Sequence, residues 1–474
     1  MIAFFPAFYP DELVFSACSR YHERMNYESS YCTGRDLFGV STARIAVDLP
    51  NRLEDLSNVL PFGHSYTADR LLTQHTLFPI YTGFESPKRA TELHETMIKT
   101  RFPPHAFAGA LTIKLRSQFL RYCSECVAED RAAWGETYWH RIHNVTGVEV
   151  CPAHKTFLLD SGFPIRRPSN TETFMTAEKV IRTTNTHPPG RTYYETYSVL
   201  AGELLWLLQQ GTLCCDRPSR SNRYARLLYE NDFATFSGKV RRSKLEDALR
   251  AFYSDDLLRA LQSDVDRNSS WVPAITQPRH KSGQPPYRHI LILNMLGCSL
   301  AKFFSLPDTP FELFGSPPWP CLNRASDHFK QSVVVDCRVR MATDGTSRPL
   351  GIFKCKCGFV YCRLGPDTTL DDRFRYHRVS AYGTVWHDKM KTLLFKEHRS
   401  RKETAFELGV RTVTVQNVLD KLPESRSPAW KVSSAVLEER RLHWSATVKQ
   451  NPDLSRNQLR KIAGNVVYDT LKTL

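Results

Sequence analysis

The stretch RYCSECVAEDRAAWGETYWHRIHNVTGVEVCPAH, residues 121–154, decides how the first part of this chain folds. Cys123 and Cys126 are three residues apart, and Cys151 and His154 repeat that step further along. Ligands at this spacing sit on a tight turn and point to one centre, so the two pairs predict a tetrahedral Cys3His zinc site. Four protein ligands leave no open position for water, which favours a structural zinc.

Two other interpretations of these residues are open at this stage. A CxxC pair also occurs in thioredoxin-like redox proteins, although redox chemistry does not require the second pair. His140 and His143 lie between the pairs and compete for the fourth ligand position. His154 repeats the spacing of the first pair, so we predict that His154 is the ligand and keep His143 as the alternative.

Length, charge and cysteine content restrict the class of protein. The chain has 474 residues, 13 cysteines and a net charge of +15, which favours a polyanionic partner such as nucleic acid. Prolines interrupt the apolar N-terminal stretch, so we expect no signal peptide. The longest apolar run, residues 290–304, is shorter than the ~20 residues of a membrane span. We therefore expect a multidomain cytoplasmic protein without a membrane partner, whose cysteines bind metal rather than form disulfides.

A second group of metal ligands follows SPPWP at residues 316–320. Two segments of β character, SVVVDCRV and GIFKCKCGFVYCR, are joined by turn residues, which predicts a small ribbon of strands held by a metal. The available ligands are Cys321, His328, Cys337, Cys355, Cys357 and Cys362.

Residues 401–422, RKETAFELGVRTVTVQNVLDKL, have the pattern of a helix-turn-helix. Ala405 and Leu408 precede Gly409, and the apolar residues Val410, Val415, Val418 and Leu422 follow it. The second helix of this motif enters the major groove. The sequence therefore predicts base contacts from Arg411, Thr412, Thr414, Gln416 and Asn417, and phosphate contacts from Lys402 and Lys421. A helical hairpin that binds nothing is the alternative.

The C-terminal region is basic and helical. Residues 371–474 hold 20 Lys and Arg against 12 Asp and Glu. After a Ser455 cap, Leu459, Ile462, Val466 and Val467 repeat the apolar periodicity of an amphipathic helix. This segment is a candidate for a second helix-turn-helix, which the end of the chain cuts short.

The quoted motifs resemble the TniQ/TnsD family, the target-selection proteins of Tn7-class transposons. Residues 120–155, FPAFYPDELVFSACSRYH at 5–22 and TLFPIYTGF at 76–84 carry the resemblance. It implies a bacterial protein that binds a chromosomal attachment site and recruits an AAA+ ATPase, TnsC. It also implies a split zinc ribbon whose first half has the form PCLNxxC followed by a histidine. Ser326 stands where that pattern has its second cysteine, so we predict that His328 joins Cys321, Cys355 and Cys357 as a ligand, with Cys337 or Cys362 as substitutes.

These features predict a mainly α, multidomain protein. The predicted division is a TniQ-like zinc-finger domain (1–165), a helical middle domain (166–310), a zinc ribbon (311–368), a helix-turn-helix domain (369–425) and a second helical segment (426–474).

Two further functions compete with a DNA-reading adaptor. Asp336 follows an apolar strand, as a metal-binding carboxylate of a nuclease or transposase does, but the sequence indicates no partner carboxylates and contains no GxxxxGK[ST], HExxH or GxSxG motif. We therefore expect no enzyme activity. A TniQ adaptor that couples an RNA-guided CRISPR complex to TnsC is the other alternative, although delegated base pairing makes a DNA-reading helix redundant.

Overall fold

The computed structural model describes residues 1–41, 45–99, 118–165, 174–181, 192–236, 238–266, 271–277, 283–309, 312–343, 345, 348–421 and 434–472. Within these ranges the chain is mainly helical, as predicted, with small antiparallel sheets. It divides into two compact units, Met1–Phe311 and Glu312–Leu474. The finer five-part division stays a prediction.

The N-terminal unit consists of helices with one two-stranded sheet, in which β1 pairs with β2. Its first elements are α1 (Val14–Arg24), α2 (Ser30–Phe38), α3 (Leu53–Val59), α4 (Ala68–His75), α5 (Phe78–Thr82), α6 (Pro87–Lys99), β1 (Phe119–Tyr122), α7 (Ser124–Trp134) and β2 (Leu159–Pro164). The later ones are α8 (Ala177–Val180), α9 (Tyr194–Gln209), α10 (Arg217–Glu230), α11 (Arg242–Phe252), α12 (Asp255–Ala260), α13 (Trp271–Thr276), α14 (Pro286–Met295) and α15 (Leu300–Ser305). One hydrophobic core runs from Leu13 to Phe303.

Helix ends in this unit agree in part with the sequence. The sequence LAGELLWLLQQG at 200–211 predicts a helix that stops at Gly211, and Gly211 lies just beyond α9 with a φ of 71°, which confirms this prediction. The sequence SKLEDALRAFY at 243–253 predicts a capping box of Ser243 and Glu246. This prediction is wrong, because α11 begins at Arg242 and its N-cap residue makes no side-chain cap. Glu246 instead pairs with Arg242 one turn away, which removes it from the cap.

A buried ion pair fixes α1 to the rest of the unit. Glu12 precedes the helix and is fully buried, and Arg20, which is 2% exposed, donates to it at 3.0 Å. Arg20 also donates to Glu136 at 2.9 Å and lies over the ring of Tyr9. Burial raises the pKa of Glu12, and the charge of Arg20 opposes that rise. A buried carboxylate depends on such a partner, since an unpaired buried charge is costly.

We expect Arg20→Met to lower the free energy of unfolding of the N-terminal unit by about 3–5 kcal/mol, because it leaves Glu12 without its cation. Hydrogen exchange of the α1 amides measures the effect where it arises. The double variant Arg20→Met/Glu12→Gln should recover part of the loss, and Arg35→Met, at an exposed arginine, should change little. Equal exchange rates in all three variants would show that the pair contributes no stability.

His75 at the end of α4 is a buried histidine far from any cysteine of the zinc motifs in sequence. Its Nδ1 lies 2.8 Å from the carbonyl oxygen of Glu12, and its ring contacts Phe8. Burial, with smaller contributions from the charges of Arg141 and Arg70, lowers the pKa of His75 to about 4. The folded unit therefore resists protonation at a pH where an unfolded histidine accepts a proton.

This shift predicts a loss of stability in acid. The folded pKa lies below the ordinary value of about 6.5, so the stabilisation is present above pH 6.5 and falls as the pH drops towards 4, by about 3 kcal/mol in total. Urea unfolding between pH 7 and 4 measures the slope. His75→Asn, which keeps a donor near the Nδ1 position, should flatten the slope, and the exposed His64→Asn should not.

The C-terminal unit combines a ribbon of strands with helices. Its strands are β3 (Trp319–Pro320), β4 (Ser332–Val334), β5 (Asp336–Met341), β6 (Pro349–Lys354), β7 (Val360–Leu364) and β8 (Arg378–Ala381). Its helices are α16 (Gly383–Lys391), extended by a π-helical turn at Thr392–Lys396, α17 (Arg401–Leu408), α18 (Thr412–Leu419), α19 (Ser434–Gln450), α20 (Arg456–Ala463) and α21 (Asn465–Lys472). β3 pairs with β4, and the other strands form one antiparallel sheet in the order β5-β6-β7-β8. The predicted ribbon is thus confirmed as a β structure.

None of the helices in the ranges described above is both long enough and apolar enough to cross a bilayer.

Candidate metal centres and nucleic-acid interface

The first cysteine cluster forms where β1 meets α7. Cys123 occupies the N-cap position of α7 and Cys126 lies in the helix's first turn, so the CxxC step turns both thiols to one side. Cys151 and His154 lie on a tight turn before β2, which the backbone bond from Lys155 N to the Cys151 oxygen closes. Pairing of β1 with β2 brings the two turns together. The fold therefore collects ligands that are distant in sequence.

The four donor atoms of this cluster fit a tetrahedral ion. All of them lie within 4.8 Å of one another. The sulfurs of Cys126 and Cys151 are 3.7 Å apart, and His154 Nδ1 lies 3.6, 3.2 and 3.7 Å from the sulfurs of Cys123, Cys126 and Cys151. Ligands about 2.3 Å from a tetrahedral zinc are about 3.8 Å apart, so the spacing matches. The cluster can hold one zinc ion with no position left for water.

Surrounding groups orient these ligands. His154 directs Nδ1 to the thiols, while its Nε2 lies 3.0 Å from Glu129 Oε1, the carboxylate arrangement that fixes a metal-binding imidazole. A hydrogen bond with the Cys126 thiol lowers the pKa of Cys123, and one with the Cys123 thiol lowers that of Cys151. Hydrogen bonds with the thiols of Cys123 and Cys151 raise the pKa of Cys126. All three thiols must lose their protons to bind a metal ion.

His143, the alternative fourth ligand, lies beside the cluster but outside it. Its Nε2 is 3.7 Å from the sulfur of Cys126, whereas His154 contacts all three cysteines. Burial lowers the pKa of His143 to about 3, so the ring is neutral. His140 pairs with Asp130 at 2.9 Å instead of turning to the thiols. The structure thus brings together the four residues that the spacing predicts.

The second cluster joins Cys321, His328, Cys355 and Cys357, whose donor atoms also lie within 4.8 Å of one another. The sulfurs of Cys321 and Cys357 are 3.8 Å apart, and His328 Nε2 is 3.3 Å from Cys355. These separations again suit a tetrahedral zinc. Asn323 donates to the Cys357 sulfur at 3.5 Å. Burial raises the pKa of the Cys357 thiol, but the hydrogen bond from Asn323 and other hydrogen bonds outweigh it and lower this pKa to about 7.

The two substitute cysteines lie elsewhere on the sheet. Cys337 is in β5, and Cys362 in β7 contacts Ser380 Oγ at 3.1 Å. Neither belongs to the cluster. Ser326 lies next to it, with Oγ 2.9 Å from the His328 ring. The His328 ring therefore occupies the ligand position beside residue 326 that the family pattern assigns to a cysteine.

We expect His328→Ala to reduce bound zinc from two ions per chain to one, because three cysteine ligands remain without the fourth. Elemental analysis of the purified chain gives the count. Cys362→Ser is the matched control and should retain both ions. One ion in the control and two in His328→Ala would assign the fourth ligand to Cys362.

The helix-turn-helix predicted at residues 401–422 is present. α17 begins with a capping box of Ser400 and Glu403, and ends at Gly409, whose φ is 67°. The positive φ favours glycine at this corner, and a Cβ at Gly409 would lie 2.5 Å from the side chain of Arg324. α16, α17 and α18 enclose one core, whose buried residues are Trp386, Met390, Leu393, Ala405, Leu408, Val415 and Leu419. Leu422 lies outside the described residues.

The predicted DNA contacts differ in exposure. Arg411, Thr412, Asn417, Lys402 and Lys421 are exposed on α17, α18 and their flanks.

Two predicted contacts are engaged within the protein. Thr414 is half-buried and hydrogen-bonds the side chain of Tyr382. Gln416 donates to Asp420 at 2.6 Å, one turn along α18. Val413, which the sequence reading passed over, is 66% exposed on the face opposite the core. In the sequence, Val413 is an apolar residue outside the buried face of α18. Such a residue is a candidate DNA contact, because apolar side chains in the major groove contact thymine methyl groups.

The segment after residue 434 agrees with its predicted cap but not with its full apolar stripe. Ser455 caps α20 with Gln458 as its capping-box partner. Leu459 and Ala463 are buried, but Ile462 is 54% exposed, so its assignment to the buried face is wrong. Ala463 follows Leu459 by one helical turn and lies with it on the buried face of α20, whereas Ile462 faces solvent.

Asp336, the catalytic candidate, is exposed at the start of β5, opposite Lys354. Among the residues that the structure describes, the groups able to hold a metal are the two Cys/His clusters, and Asp336 belongs to neither.

Comparison with known proteins matches both parts of the chain. The family model described as Tn7-like transposition protein D, TnsD, matches residues 200–471, more than half of the chain. The TniQ model matches residues 3–158. The transposon Tn7 transposition protein TnsD of Escherichia coli is 27% identical over 152 residues, which are 32% of this chain and 30% of that protein. The match thus spans less than a third of the relative's length.

Proposed function

The chain belongs to the TnsD family of Tn7-like transposition proteins, with a TniQ region at its N-terminal end, and from this premise we propose that it selects the target for transposition. In this proposal it binds a specific chromosomal attachment site as double-stranded DNA and recruits an AAA+ ATPase, TnsC. It marks the target without cutting it. The observation that carries the proposal is the helix-turn-helix, whose second helix presents an exposed polar face.

The geometry of α18 suits a recognition helix. Val415 and Leu419 hold it against α16 and α17, so the opposite face is held rigidly outward. Arg411 at the N-terminus and Asn417 on the exposed side have the donor groups that bind guanine and adenine bidentately. Val413 adds an apolar contact for a thymine methyl group. Lys402 and Lys421 supply charge for phosphates on either side.

Both Cys/His clusters have structural roles in this proposal. A bound zinc supplies four strong bonds that cross-link turns distant in sequence. At the first cluster these turns belong to the TniQ region, which we propose presents the surface for TnsC. At the second they hold β3 and the β6–β7 turn of the ribbon beside the helix-turn-helix. In neither case does the zinc act on DNA.

A gel-shift experiment with the full chain tests the proposal. The protein should shift duplex DNA without Mg²⁺ and protect a discrete site from cleavage by a footprinting reagent, and it should leave the strands intact when Mg²⁺ is added. Nicking that requires Mg²⁺ and disappears in Asp336→Ala would replace the adaptor with a nuclease. Binding only in the presence of a guide-RNA complex would favour the CRISPR adaptor instead.

A further inference from the structure

One face of the four-stranded sheet carries arginines at both edges. Residues opposite each other in register share a face, so Arg338 of β5, Ile352 of β6, Cys362 of β7 and Arg378 of β8 form one row. Arg338 and Arg378 are exposed, while Ile352 and Cys362 between them are at least partly buried. The row therefore places a cation on each side of a narrow apolar strip.

Two more cations lie on the same face. Arg340 is two residues after Arg338, and Lys354 is two residues after Ile352, so both lie on the same face of the sheet as Arg338 and Ile352. We call Arg338, Arg340, Lys354 and Arg378 the basic sheet face. Across the described part of the chain, none of these four forms an ion pair within 4.0 Å. Asp336 is the acidic residue of the same β5 face, directly opposite Lys354.

The segment that leads into β8 adds aromatic and basic side chains. Residues 374–378 read FRYHR, in which Phe374 is 48% and Tyr376 44% exposed. Arg375 is 77% exposed, with Asp372 3.6 Å away. Large exposed aromatics beside cations are typical of surfaces that bind nucleic acid, where the tyrosine hydroxyl can donate to a phosphate. Residues 374–377 thus add exposed aromatic and basic side chains directly before Arg378 of the basic sheet face.

The ribbon and the helix-turn-helix touch each other within the C-terminal unit. A Cβ at Gly383, the first residue of α16, would lie 2.4 Å from the carbonyl carbon of Gly358 in the ribbon. Arg324, near the second cluster, packs against Gly409 at the turn between α17 and α18. The ribbon and the helix-turn-helix are therefore in direct contact at two points.

We propose that the basic sheet face, together with residues 374–377, is a second DNA-binding surface that contacts the phosphate backbone. The proposal rests on the proposed function, because it requires that the chain binds duplex DNA. Charge complementarity selects this occupant: exposed cations without described ion-pair partners attract a polyanion, and phosphate contacts carry no base preference. The basic sheet face then contributes affinity, while α18 contributes sequence discrimination.

The salt dependence of DNA binding by the full chain tests this assignment. In the triple variant Arg338→Ala/Arg340→Ala/Arg378→Ala, the slope of log K against log salt should decrease in magnitude by about 2.7, at about 0.9 per lost phosphate contact. Affinity at 0.1 M salt should fall roughly 10²-fold for random and selected DNA alike. The corresponding triple Arg→Lys variant keeps the charges and should retain most of the slope.

A second triple variant controls for net charge. Arg35, Arg250 and Arg259 are exposed arginines of the N-terminal unit, and their replacement by alanine removes the same charge elsewhere. An unchanged slope in the sheet variant, while wild type binds DNA, overturns this inference alone. An equal loss in both alanine variants also overturns it, since the effect is then one of total charge. Failure of the wild type to bind any duplex overturns the proposed function itself.

Discussion

Replacing Cys151 by serine should remove one of two zinc ions per chain and unfold the N-terminal unit. Cys151 is 1% exposed, and its sulfur lies 3.7 Å from the Cys126 sulfur and 3.7 Å from His154 Nδ1, so its loss removes one of the four ligands. Zinc in sites of this kind contributes on the order of 10 kcal/mol, which is comparable to the whole stability of a domain. Elemental analysis and hydrogen exchange over residues 118–165 measure the two effects.

Cys32→Ser is the matched control for this variant. Cys32 is a half-buried cysteine of α2 in the same unit and belongs to neither cluster. The control should keep two zinc ions and native exchange rates. A Cys151→Ser chain that keeps both ions, or that loses one without faster exchange, would show that the first cluster does not hold the unit together.

Replacing both Arg411 and Asn417 by alanine should remove most of the base preference of DNA binding. Each bidentate contact contributes about 1–3 kcal/mol of discrimination, so the preference for the selected site over random DNA should fall roughly 30- to 10⁴-fold. Both side chains are exposed and lie outside the core, so α18 should stay folded. Competition binding with selected and random duplexes measures the ratio.

Lys421→Ala is the control for a phosphate contact. It should weaken binding to all duplexes by a similar factor and reduce the salt slope by about 0.9. Gln416→Ala should reduce specificity less than Arg411→Ala, because the Gln416 amide is already bonded to Asp420. A base preference that survives the double variant would mean that α18 is not the recognition helix.

Ligand spacing made much of the candidate sites predictable. The three-residue steps at Cys123 and Cys151 require tight turns, and tight turns impose the same local geometry in any fold. The glycine at 409 likewise fixes the corner between two helices, since other residues rarely adopt its conformation. Spacing therefore indicated the first cluster and the plan of the helix-turn-helix. At the second cluster spacing left six candidate ligands, and the family resemblance selected the four that the structure brings together.

Features that depend on long-range packing were not predictable. In the sequence, Glu12 resembles an ordinary residue at the start of a helix and Arg20 an ordinary surface arginine. Both are buried only because the rest of the unit packs around them. The basic sheet face needs the strand register, which sets Arg338 and Arg378 in one row although they are distant in sequence. Gln416 is turned to Asp420 by a local contact that the helical pattern does not specify.

Selection of bound fragments from genomic DNA tests whether the chain selects one DNA site through α18. The 474-residue chain is mixed with fragmented genomic DNA at moderate salt without Mg²⁺, and the retained fragments are sequenced. Wild type should enrich one discrete attachment site, and Arg411→Ala/Asn417→Ala should retain fragments uniformly. Uniform retention by wild type, or enrichment of the same site by the double variant, would contradict a target selector that reads DNA through α18.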